Sequence, residues 1–163
     1  MNIQQTDKLI DRIKAMETLA ENANHEWLLG WFTPIKVNNL STKETIAAML
    51  KAWAYFRATC KRSNLEFQGF RQIKFGMKHG QPVFEVTLSA FKGSLEVLSE
   101  TLSNQFESNG FQAIIKQPIS TANTTQYIEK YFSKSHTAEQ QERLRNIAGI
   151  QPIAFIKKPT SIQ

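Results

Sequence analysis

Residues 67–91 read FQGFRQIKFGM-KHGQ-PVFEVTLSAF, and this stretch decides the fold. Apolar and polar side chains alternate through Phe67–Met77, the signature of a strand with one buried face. Lys78, His79, Gly80 and Gln81 supply a turn, and Pro82–Phe91 returns rich in β-branched and aromatic residues. The two segments are expected to pair as a hairpin.

Working outward, Ser41-Thr42-Lys43-Glu44 is a capping box, in which the serine hydroxyl accepts an early amide N–H and Glu44 reaches back. The helix it starts runs to about Ser63, with Ile46, Met49, Trp53, Phe56 and Cys60 on one apolar stripe. On the other side of the hairpin, Ser94 is placed to cap a helix over 95–108. Leu95, Leu98, Leu102 and Phe106 face inward there, and Asn109-Gly110 ends it. Further out, a helix is expected over 6–22, capped by Thr6, with Leu9, Ile13, Met16 and Leu19 inward. Strands are expected at His25–Val37, bent near Pro34, at Phe111–Ile119 and at Pro152–Lys157, and helices at Thr124–Ser135 and 137–148. Strands alternating with helices around a hairpin predict an α+β domain: an antiparallel or mixed sheet of about five strands, helices mainly on one face. One domain over 1–163 is expected, made of an N-terminal helix (1–24), a core (25–135) and a C-terminal helix and strand (136–163).

The 163 residues suit one globular domain, with 41% hydrophobic and 21% charged side chains. No apolar run reaches the roughly 18–20 residues of a membrane span, so no membrane partner is expected. The polar N-terminal stretch does not read as a secretory leader. A single cysteine, Cys60, makes neither an internal disulfide nor a thiolate metal site, and favours a reducing, cytoplasmic setting. The net charge of +6 is uneven. Residues 1–35 carry three basic and five acidic side chains; residues 36–80 carry nine basic ones against Glu44 and Glu66. Residues 127–163 carry six basic and three acidic side chains. Clustered cations attract polyanions by releasing counterions, and this points to nucleic acid. The sequence holds no phosphate-cradling glycine loop, nucleophile elbow, H-E-x-x-H or zinc-spaced Cys/His set. His25, His79 and His136 lie far apart.

Two motifs carry a family likeness. Gly80-Gln-Pro-Val-Phe-Glu-Val-Thr-Leu88 lies on the second hairpin strand, and Tyr127-Ile-Glu-Lys-Tyr-Phe-Ser-Lys134 on a later helix. In this order they resemble the two signatures of rolling-circle replication initiators, the HUH endonucleases of plasmids and phages. In that family the strand presents histidines, separated by one hydrophobic residue, to Mg or Mn, and a helix tyrosine attacks a DNA phosphodiester. The likeness covers about residues 26–135 and implies a core of that type. It departs where the metal would sit, because Gln81, Val83 and Glu85 stand in place of the histidines. Alternation sends Val83 and Glu85 to one face, but valine cannot ligate a metal, and a carboxylate with one amide is a poor set for a hard divalent ion.

Tyr127, Lys130, Tyr131 and Lys134 share one helix face, which would suit a tyrosine nucleophile (Tyr131 or Tyr127) or simple phosphate binding. The expected nucleic-acid contacts are Lys36, Arg71, Lys74, Lys78, Lys130, Tyr131 and Lys134, with no cofactor unless the protein nicks. The leading expectation is a non-catalytic, replication-initiator-like protein that binds DNA or a nucleoprotein complex. The alternatives are an active tyrosine nickase-ligase for rolling-circle replication using Mg or Mn, and a mobile-element protein that inhibits a host defence nucleoprotein complex by protein–protein contact.

Overall fold

The computed structural model describes residues 3–35, 40–76, 80–119, 138–149, 151 and 153–156. In chain order the elements are α1 (Ile3–Asn22), β1 (His25–Pro34), α2 (Thr42–Arg62), β2 (Gln68–Phe75), β3 (Pro82–Phe91), α3 (Leu95–Glu107), β4 (Phe111–Ile119), α4 (Ala138–Ala148) and β5 (Ile153–Phe155). The five strands form one antiparallel sheet in the order β4-β1-β3-β2-β5. The fold is α+β, as the hairpin and its flanking helices predict. The hairpin strand carrying Val83 and Glu85 is the sheet's centre.

Register explains which side chains go where. Leu28, Gly30 and Phe32 of β1 stand opposite Leu88, Val86 and Phe84 of β3, which face Gly69, Arg71 and Ile73 of β2 in turn. This face is covered by α2, α3 and α4, whose Ile46, Met49, Trp53, Phe56, Leu98, Leu102, Phe106 and Leu144 complete the main core. Phe32 stacks on Phe106 at 3.9 Å between ring centroids, and Phe84 lies 5.2 Å from the same ring. Burying each such side chain contributes about 1.5–3 kcal/mol. Gly69 has a φ of 150°, and a Cβ there would run into the Thr87 backbone oxygen, so only glycine lets β2 lie this close to β3.

The opposite face carries Trp27, Leu29 and Trp31, then Glu85, Thr87 and Ser89, then Gln68, Phe70 and Gln72. Helix α1 lies on it through Ile13, with Leu9, Met16 and Phe155 packed around Phe70 and Ile153. Three of the four described helices thus share one face, and α1 takes the other.

Local expectations divide. The α2 capping box forms in full, with Glu44 N donating to Ser41 Oγ and Ser41 N to Glu44 Oε1, each at 3.1 Å. Thr6 lies inside α1 and not at its start. The buried line of α1 runs through Ile13, Glu17 and Ala20, leaving Leu19 38% exposed. Ser94 makes no side-chain cap; a single 3-10 turn over Lys92–Ser94 leads into α3 instead. The expected helix at Thr124–Ser135 lies outside the described residues.

Candidate nucleic-acid interface

The two cations of β2 point to opposite sides of the sheet. Arg71 lies on the face covered by α2, α3 and α4 and is 8% exposed; its Nη1 donates to the Gln151 carbonyl oxygen at 2.6 Å. Desolvation lowers the guanidinium to about 10. Arg71 therefore holds the strand to the segment before β5, a structural task the alternation pattern did not reveal. Lys74 lies on the α1 face, and its ammonium pairs with Glu85 at 2.5 Å. Glu85 is fully buried, while the Lys74 side chain keeps 21% exposure. Lys36, Lys78, Tyr127, Lys130, Tyr131 and Lys134 lie outside the described residues.

The would-be metal positions can be tested on this geometry. Val83 and Glu85 do share the α1 face of β3, beside Lys74 and Gln72 of β2. Gln81 precedes the strand and is exposed. Glu85 already has an ammonium on its carboxylate, and Val83 stands opposite the same lysine. A divalent ion there would meet one occupied carboxylate, one hydrocarbon and a neighbouring positive charge. These residues do not fit Mg or Mn. Among the described residues no three His, Cys, Asp or Glu side chains gather as a metal set.

Among the described residues α2 carries the largest group of solvent-exposed cations on one element. Lys43, Lys51, Arg57, Lys61 and Arg62 are all exposed, on the side of the helix away from Ile46, Met49, Trp53, Phe56 and Cys60. Helical spacing splits them into two flanks: Lys51 and Arg62 on one, Lys43, Arg57 and Lys61 on the other. Tyr55, 50% exposed, sits on the first flank with the Lys51 ammonium 5.8 Å from its ring. The one acid of the helix, Glu44, is held by Ser41, whose hydrogen bonds keep its carboxyl below the usual range. Sequence reading counted these five cations in the basic stretch but assigned them no role. The signal was the polar complement of the apolar stripe.

Beside the second flank lies a groove of about 470 Å³, between the C-terminal half of α2 and the β2–β5 edge. Arg57, Lys61, Asn64 and Glu66 form its rim, and Leu65, Phe67 and Ile156 its apolar lining. Cys60 also borders it; burial pushes the thiol up to about 11, so it stays neutral and unreactive. This agrees with its place on the apolar stripe.

Comparison with known proteins adds little to this geometry. No family model matches the chain, and no curated protein matches it. A solved structure of an amidohydrolase/peptidase from Burkholderia cenocepacia is similar at 11% identity and a TM-score of 0.38, over 85% of this chain. The chain spans 44% of that protein's length. A likeness at that level assigns neither family nor chemistry. Among the described residues no helix is long and apolar enough to cross a membrane.

Proposed function

We propose that this chain is a non-catalytic, replication-initiator-like nucleic-acid-binding protein of a plasmid or phage. The observation that carries binding is α2: five exposed cations and an exposed tyrosine on one helix, with its single acid engaged in the cap. Such a surface gains affinity for phosphates by counterion release and reads little sequence. The initiator-like part of the reading rests on the two sequence motifs and on the central, antiparallel position of β3. The non-catalytic part rests on Lys74. A tyrosine attacking a phosphodiester needs fixed positive charge on the scissile phosphate, and the lysine at this place is already committed to Glu85.

Fluorescence anisotropy with labelled single-stranded and duplex 20-mers tests the binding. Lys43→Glu/Lys51→Glu/Arg62→Glu is expected to abolish it at low salt, and Lys8→Glu/Lys14→Glu to leave most of it. Equal losses, or no binding by the unaltered protein, sink the proposal. A covalent protein–DNA adduct formed with Mg or Mn and lost in Tyr131→Phe or Tyr127→Phe would replace it with the nickase.

One observation favours a second reading, contact with a host nucleoprotein complex. Among the described residues β4 pairs on one side only, with β1, and carries Ile114 at 51% exposure. A nine-residue edge of this kind can accept a strand from another protein. Pull-down of the tagged protein with and without nuclease separates the two, because a partner held through β4 survives the nuclease.

A further inference from the structure

We infer that the groove beside α2 receives an unpaired nucleobase, so that the protein prefers single strands over duplex. This rests on the nucleic-acid reading above and goes beyond it by naming what the site takes. The groove's size falls in the range of about 300–1,000 Å³ that small-molecule sites occupy. Its composition is that of a nucleotide site read from rim to floor. Arg57 and Lys61, one helical turn apart, place two cations on one lip, where a backbone phosphate would lie. Below them Leu65, Phe67 and Ile156 offer an apolar bed for a flat ring. Asn64 and Glu66, exposed where they line the groove, supply donors and acceptors for the edge of a base.

The local fold holds that bed in place. Leu65 N donates to the Cys60 carbonyl oxygen at 2.9 Å as the chain leaves α2, with Asn64 at a φ of 54°. Phe67 is braced against Phe56, 5.3 Å between centroids. Ile156 N donates to the Gly69 carbonyl oxygen at 2.9 Å, which fixes the far wall to β2.

Charge argues for a strand over an apolar peptide or a lipid. The groove's cations continue across α2 to Lys51 and Arg62, so a chain with phosphates at regular intervals meets positive charge beyond the groove itself. A duplex can use that outer face but cannot place a stacked, paired base in the groove. Stacking of a base on apolar and aromatic groups contributes about 1–3 kcal/mol, or roughly 5- to 150-fold in affinity.

The test fills the groove and keeps every charge. Ala54 and Ala58 line it from exposed helix positions, so Ala54→Leu/Ala58→Leu occupies the space with strong helix formers. A 12-mer of thymidines with one central 2-aminopurine is the single-strand probe, and a mixed-sequence 20-mer the duplex. The unaltered protein is expected to bind the single strand at least fivefold more tightly than the duplex at equal salt. The filled variant is expected to lose about tenfold on the single strand, lose none on the duplex, and leave 2-aminopurine fluorescence unchanged on binding. Less than twofold loss on the single strand, or equal loss on both, overturns the groove and leaves the basic helix standing. Failure of the unaltered protein to bind either probe overturns both. A second measurement does not depend on the variant. Adenosine monophosphate is expected to shift the methyl resonances of Leu65 and Ile156; shifts confined to the Lys51 and Tyr55 flank would overturn the groove.

Discussion

At the scale of single residues the sheet's two faces separate charges that look equivalent in sequence. Lys74 and Arg71 are three apart on β2, and odd spacing on a strand sends them to opposite sides. Each is held by one partner, so each is a structural group before it is anything else. Replacing Lys74 by alanine removes the ammonium from a carboxylate that has no exposure. Breaking a buried pair in this way costs about 3–5 kcal/mol, because the remaining charge keeps its desolvation penalty. The double change Lys74→Met/Glu85→Leu removes both charges at similar volume and is expected to be near neutral. Urea midpoints read the contrast; equal losses from the single and double variants would show that packing, not charge, holds the pair.

His25 gives a prediction of the other kind. Burial lowers its imidazole pKa; its Nδ1 has no hydrogen-bond partner among the described residues, and the ring lies 4.7 Å from Phe91. As pH falls through about 6.5 the unfolded chain takes up the proton first. Stability is therefore full above that value and declines below it until the folded-state pKa is passed. Denaturation midpoints measured from pH 7.5 to 5 are expected to fall, and His25→Gln is expected to flatten the curve over that window.

At the scale of elements, what could be read from sequence was whatever one chemical pattern decides. The hairpin strand Pro82–Phe91 and the strand Phe111–Ile119 have the bounds expected, because alternation and turn residues mark both ends. The capping box formed because Ser41 and Glu44 satisfy each other locally, without tertiary help. Ser94 failed as a cap for the converse reason: the chain leaves β3 through a 3-10 turn, so Ser94 already has helical backbone angles, φ −95° and ψ −15°. Leu19 misled because α1 packs along Ile13, Glu17 and Ala20, a line chosen by the sheet face it meets. The burial of Arg71 was equally illegible, since its partner is a backbone carbonyl eighty residues away. The cap allows a clean test. Ser41→Ala is expected to lower stability by about 1 kcal/mol. The Glu44 carboxyl should rise only part of the way towards its ordinary range, because the Ser41 backbone N–H, the larger cause of its depression, remains in alanine and only the side-chain hydrogen bond is lost. A carboxyl resonance followed through an acid titration checks the second outcome, and a return all the way to the ordinary range would show that the backbone N–H does not hold Glu44 in solution.

At the scale of the whole molecule the sheet divides two environments, and exposed cations stand on both: Lys8, Arg12 and Lys14 of α1 and Lys116 of β4 on one, the five of α2 on the other. On one side Lys74 is tied to Glu85, and Lys116 of β4 lies 5.8 Å from the Trp31 ring. On the other, three helices cover the core, and α2 turns its five cations outward. Net charge alone treats all these lysines alike, whereas counterion release depends only on those that approach phosphates together. The logarithm of the binding constant should fall linearly with the logarithm of salt concentration, by about 0.7 per phosphate neutralised on a single strand. Neutralising Lys43, Lys51 and Arg62 to glutamine is expected to reduce that slope by about 2. Lys116→Gln removes one charge from the far face, and Lys14→Gln one from α1; both are expected to leave the slope unchanged. Glutamine keeps helix propensity and hydrogen-bonding capacity, so altered folding will not imitate the effect. Circular dichroism on each variant verifies that point. A slope that falls as much with Lys116→Gln as with any one α2 change would mean that the strand wraps the sheet's other face. The basic helix would then be a solvated surface and not the interface.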